Sequence, residues 1–153
     1  MSESSPSLAS QSFFALVPGA SRAINALNES AAAGDLAPDL LEFASLRASQ
    51  LNGCAYCVQY HTANLRNLGV SDDKLALVVV WREAGIFSAR EAAALAWAEA
   101  LTLLAETHVP DCAYAAARLV FNGQELAALT VSVSAINVRN RISVAYRFPV
   151  EVA

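Results

Sequence analysis

The sequence predicts an all-α domain of about six to eight helices. Three observations carry this expectation. From residue 38 onward the apolar positions recur at helical spacing rather than alternating. Ser and Asn residues followed by acidic side chains, the chemistry of helix starts, occur at Ser71, Ser88 and Asn122. The Gly and Pro residues that break helices fall between the periodic segments.

Taken in order, the first twelve residues, rich in serine, read as a loose arm, and residues 13–153 as a single helical domain. Phe13, Phe14, Leu16 and Val17 form a short apolar segment closed by Pro18 and Gly19. A helix through Ile24 and Leu27 follows, and the run GDLAP breaks it. Pro38 suits the first turn of the next helix, whose apolar positions Leu40, Leu41, Phe43, Ala44, Leu46 and Leu51 make it amphipathic. Asn52 and Gly53 interrupt the pattern. A helix carrying two cysteines then runs to about Asn67 and exits through Leu68, Gly69 and Val70. Ser71 with Asp72 and Asp73 opens a segment through Leu75, Leu77 and Val78, and the capping box of Ser88 and Glu91 opens an alanine-rich run to Leu104. Asn122 and Glu125 start a long helix through Leu126, Leu129, Val133, Ile136 and Val144. Its β-branched run VSVSAINV competes for a strand, and the caps around it favour helix.

Composition narrows the function. Hydrophobic residues are 56% of the 153 and charged residues 16%, so part of the apolar surplus is expected in a subunit interface. The net charge of −4 and the lack of a basic patch argue against nucleic acid, although Arg139, Arg141 and Arg147 lie close in sequence. No apolar run has the length of a membrane span, and MSESSPSLASQ lacks the basic start and apolar middle of a signal peptide. A cytoplasmic location is expected. In that compartment a CxxC pair points to redox chemistry or metal binding rather than to a structural disulfide.

The chemistry concentrates in NGCAYCVQYH, residues 52–61, which holds two of the three cysteines and one of the two histidines. On a helix capped by Asn52, the side chains of Cys54, Cys57 and His61 fall within an arc of roughly 60° at about 100° per residue. Tyr56 and Tyr60 fall on the other side and read as packing or interface residues. The positive end of the helix dipole favours a thiolate at Cys54, while the imidazole at i+4 favours one at Cys57. These two arguments leave open which sulfur attacks first. Either way the other thiol is placed to close a disulfide once the first is oxidised. Glu42, on the preceding helix, is a candidate for orienting His61 if the two helices pack antiparallel. A zinc site is the competing reading, but the stretch offers three ligands where four are usual. His108 or Cys112 could complete the set only if the fold brings them close. Otherwise Cys112 reads as a small apolar side chain, His108 as a surface or interface residue, and Trp81 and Trp97 as core or interface.

The segment from Glu42 to His61, EFASLRASQLNGCAYCVQYH, resembles the core motif of the AhpD-like alkylhydroperoxidases of the carboxymuconolactone decarboxylase superfamily: a glutamate twelve residues before a CxxCxxxH. The segments 81–102 and 136–145 resemble the same family. The resemblance implies an all-helical AhpD-like fold assembled into homotrimers or homohexamers. It also implies reduction of organic hydroperoxides through the CxxC pair, with Cys57 peroxidatic, Cys54 resolving, and Glu42 with His61 as a proton relay. No cofactor or metal enters that chemistry; the implied partners are a peroxide and an external dithiol or redox protein. Two departures from the pattern stand out. Tyr56 occupies the place of a histidine found between the cysteines in the best-known branch, and Arg139 that of a tryptophan common in relatives. The alternatives are a protein dithiol-disulfide oxidoreductase, or a non-catalytic helical oligomer that binds metal or senses oxidants.

Overall fold

The computed structural model of the chain describes residues 7–151, and the regular structure among them is helical. Helix α1 spans Ser10–Leu16, α2 Pro18–Ala32, α3 Pro38–Leu51, α4 Ala55–Asn67, α5 Asp72–Leu77, α6 Trp81–Ala84, α7 Ala89–Thr102, α8 Leu104–Thr107, α9 Asp111–Val120 and α10 Gly123–Ala145. A 3-10 turn, Val78–Val80, lies between α5 and α6. Ten α-helical segments among the described residues exceed the expected six to eight. The surplus includes single turns: α6 and α8 have four residues each and end where Gly85 and His108 enter the left-handed region. The expected arm of residues 1–12 falls partly on α1. Residues 1–6 lie outside the described part, α1 already begins at Ser10, and the Leu8 N–H donates to the Tyr146 carbonyl at 3.1 Å.

Local chemistry explains most boundaries. Ser71 caps α5 by accepting from the Lys74 N–H. Ser88 with Glu91 and Asn122 with Glu125 form reciprocal capping boxes on α7 and α10. Proline occupies the first turn of α2 and of α3, where its missing N–H costs no helical bond. The run VSVSAINV is helical within α10.

Helix α3 is central, with α4, α7 and α10 all packed against it. On one side Leu40 and Ala44 of α3 join Ala94 and Trp97 of α7 and Leu129 and Val133 of α10 in one apolar cluster. On another, Phe43 and Leu46 meet Leu65, Val78, Trp81 and Leu95. A third, smaller cluster of Ala48, Cys54, Cys57 and Ile136 backs the cysteine pair. Among the described residues no helix is long and apolar enough to cross a membrane.

A polar node ties α6 and α7 to α3. The Glu99 carboxylate accepts from Arg47 Nε at 2.7 Å and from the Trp81 indole at 2.8 Å, and it pairs with Arg82. Burial alone would push this carboxyl up; the hydrogen bonds from Trp81 and Arg47 and the charges of Arg47 and Arg82 outweigh that and hold it below its ordinary value of 4.5. Glu91 is held low in the same way, burial being outweighed chiefly by Lys74 and Ser88. Because both groups ionise more readily folded than unfolded, their stabilisation is complete above about pH 4.5 and is lost as pH falls through the lower folded values. Glu99→Ala removes one such group and leaves Arg47 without its carboxylate, at an expected cost of roughly 2–4 kcal/mol. Urea unfolding at neutral pH and again near pH 3 checks both points: the gap between variant and wild type should narrow in acid.

Candidate active site

The turn from α3 into α4 sets the geometry. Asn52 ends α3, and Gly53 at φ 65 reverses the chain so that the Cys54 N–H reaches back to the Ser49 carbonyl at 3.0 Å. A Cβ at position 53 would meet nothing within 4 Å, so the requirement for glycine is conformational. The cap of α4 is therefore Cys54 itself, whose sulfur accepts from the Cys57 N–H at 3.3 Å. This corrects the expectation that Asn52 caps the cysteine helix. Asn52 instead donates from Nδ2 to Asn137 and Asn140 of α10, at 3.0 and 2.8 Å, and Asn140 donates on to the Ser49 hydroxyl at 3.1 Å. This network ties the turn to the long helix.

Cys54 and Cys57 form a disulfide with Cα atoms 5.3 Å apart, and both are buried, at 1% and 4% exposure. His61 follows one turn after Cys57 on α4 and is also buried. Glu42 reaches it from α3: His61 Nδ1 and Glu42 Oε2 are 2.7 Å apart. All four residues singled out in the sequence are thus brought to one place.

Cys57, His61 and Glu42 share a cavity of about 640 Å³. Cys54 does not line it. The apolar part of the wall includes Leu41 and Ile136, and the rest of the lining includes residues that sequence reasoning did not connect to the site. Asn64 donates to the same Glu42 oxygen at 3.2 Å; its position one turn beyond His61 is the signal that could have found it. Phe14 and Asn25 come from the N-terminal helices and Phe148 from beyond α10, contributions that only tertiary structure makes visible. Tyr56 and Tyr60, expected as packing or interface residues, also line the cavity. Tyr60 stands edge-on to the His61 ring at 5.2 Å, and Tyr56 edge-on to Phe148 at 5.5 Å. The cavity runs along α4 from Tyr56 to Asn67 and so takes in side chains beyond the cysteine face. Arg139 borders it as well, donating to Asn25 and lying 6.0 Å over the Phe14 ring.

The metal reading gains nothing from the fold. Among the described residues no group of three or more His, Cys, Asp or Glu side chains is arranged to hold an ion, so neither His108 nor Cys112 completes a set with the pair. Cys112 is exposed and unpaired with another cysteine.

Residues 18–100 match the model of the carboxymuconolactone decarboxylase family. The chain is 35% identical over 104 residues to the uncharacterized protein YdfG of Bacillus subtilis, covering 68% of this chain and 71% of YdfG. It is 30% identical over 116 residues to the uncharacterized protein YnjA of Escherichia coli, covering 76% of this chain and 63% of YnjA. A crystal structure of a protein of unknown function from Agrobacterium tumefaciens, described as a candidate antioxidant defence protein AhpD, superimposes with a TM-score of 0.85 at 38% identity. That match covers 91% of this chain and 97% of the other. On sequence and fold together, this chain belongs to the carboxymuconolactone decarboxylase family and has its AhpD-like fold.

Proposed function

We propose that the protein is a thiol peroxidase that reduces organic hydroperoxides through the Cys54–Cys57 pair. The observation that carries this reading is the shared cavity: the sulfur-bearing Cys57, an imidazole one turn along the same helix and a carboxylate 2.7 Å from that imidazole all border one partly apolar space. With Nδ1–H donating to Glu42, Nε2 becomes the acceptor of the ring. In the reduced enzyme His61 takes the Cys57 proton and the thiolate attacks the terminal peroxide oxygen. The O–O bond breaks, the alkoxide leaves as alcohol, and Cys57 becomes a sulfenic acid. Cys54 then displaces hydroxide, water forms, and the disulfide closes. Two electrons and two protons from an external dithiol return the pair to the thiols, so the cycle needs no further cofactor. The AhpD description of the Agrobacterium neighbour supports the same reading.

A cytoplasmic setting, where thiol reductants keep the cycle turning, belongs to this proposal. So does a homotrimer or homohexamer, to which the exposed Leu119, at 90%, and Tyr114 of α9 fit as interface residues. Cys54→Ser tests the first chemical step in isolation. Mixed with one equivalent of a hydroperoxide and a sulfenic-acid trap, this variant should carry the trap on Cys57. Trap on no residue, with the peroxide intact, would contradict the proposal and leave disulfide exchange with a protein partner as the better account.

A further inference from the structure

Regenerating the dithiol requires an incoming thiolate to reach one sulfur while the other departs with the electron pair, and the two sulfurs are not equivalent here. Cys57 borders the cavity, whereas Cys54, at 1% exposure, does not. Cys54 packs with Ala48, Ile136 and its partner Cys57, with Tyr56 against this cluster, and the Phe148 ring stands edge-on to Tyr56 at 5.5 Å. Phe148 is itself fixed. Its N–H donates to the Ser143 carbonyl at 3.0 Å, and three residues on the Gln59 side chain holds both the N–H and the carbonyl of Glu151.

The departing sulfur is also specified. Cys54 stands at the N-cap of α4 with its sulfur on the Cys57 N–H, 3.3 Å away, where the positive end of a 13-residue helix stabilises negative charge. A thiol whose anion is stabilised leaves faster.

We propose that the external thiol attacks Cys57 through the cavity and expels Cys54 as the thiolate, an assignment that rests on reading the pair as a redox-active dithiol. The reductant sulfur bonds to Cys57 Sγ, the Cys54–Cys57 bond breaks, and its electron pair goes to Cys54 Sγ. The second thiolate of the reductant then attacks the reductant sulfur of the mixed disulfide and releases Cys57, leaving the reductant as its own disulfide. The two protons lost by the reductant end on Cys54 and Cys57. Cys57 is then the sulfur at which both substrates arrive, and Cys54 never contacts either.

The test uses the oxidised wild-type chain and no peroxide, so its outcome is independent of whether the peroxidase reading holds. The protein is mixed briefly with 2-mercaptoethanol and quenched in acid. Free thiols are alkylated with N-ethylmaleimide, and tandem mass spectrometry locates the mercaptoethanol. The adduct should favour Cys57 over Cys54 on the order of tenfold, with the alkyl group on Cys54. Equal labelling, or a majority on Cys54, overturns the assignment. Phe148→Ala, which removes the ring standing against Tyr56, should raise the Cys54 share several-fold. A share that does not move overturns the claim that this aromatic cover directs the attack.

Discussion

Replacement of Cys57 by serine is expected to lower peroxide turnover by at least about a thousandfold, because a hydroxyl at neutral pH offers almost no anion to attack the O–O bond. The fold should survive the change. Cys57 is buried beside Ala48, Cys54 and Ile136 at the edge of the cavity, and exchanging sulfur for oxygen there costs the reduced protein about 1–2 kcal/mol through burial of a hydroxyl. Thermal unfolding of the reduced proteins separates the two effects: melting close to wild type with activity gone is the expected combination. Residual turnover near wild type in Cys57→Ser would remove Cys57 from the chemistry. Cys54→Ser should behave differently, consuming about one equivalent of peroxide per chain and then stalling, because the sulfenic acid forms but no internal thiol displaces hydroxide.

Glu42→Gln carries the second large expectation, a fall in the rate of peroxide attack of about ten- to a hundredfold. The carboxylate accepts from His61 Nδ1 and from Asn64 Nδ2. An amide in its place can still accept, but it lacks the charge that stabilises an imidazolium, and its NH₂ can turn toward Nδ1 and impose the other tautomer. The base at Nε2 is then lost for part of the population. In a pH series of attack rates, or of thiolate absorbance, the Cys57 transition should move to higher pH in this variant. A titration curve that superimposes on wild type would remove Glu42 from the relay and leave it a positioning residue for α4.

Much of this arrangement was legible in residues 42–61. The spacing put Cys57 and His61 on one helical face, Glu42 was a candidate only if the two helices packed antiparallel, and the family resemblance joined the four; His61 Nδ1 and Glu42 Oε2 lie 2.7 Å apart. The caps at Ser71, Ser88 and Asn122 were equally readable, because a cap is a local interaction written within four residues. The start of α4 was not. Asn is among the best cap residues by propensity, yet Gly53 in the left-handed region turns the chain after Asn52 and leaves Cys54 to cap the helix. That shift puts the Cys54 sulfur on the Cys57 N–H at the helix start. Helix α9 and the one-turn helices α6 and α8 escaped because short segments show too few apolar repeats to reveal a period. The cavity escaped for a different reason. Phe14, Asn25 and Phe148 lie far from the motif in sequence and meet it only because α1, α2 and the segment after α10 close around the same cavity.

The most direct test of the central claim is a single turnover of the reduced wild-type protein with an organic hydroperoxide in a stopped-flow instrument, with quenched samples analysed by mass spectrometry. Loss of about one equivalent of peroxide per chain is expected, together with a mass decrease of about 2 Da that maps to a Cys54–Cys57 link. Peroxide left untouched by the reduced pair, while a small-molecule disulfide still oxidises it, would contradict peroxide reduction and identify a dithiol exchange protein on this scaffold.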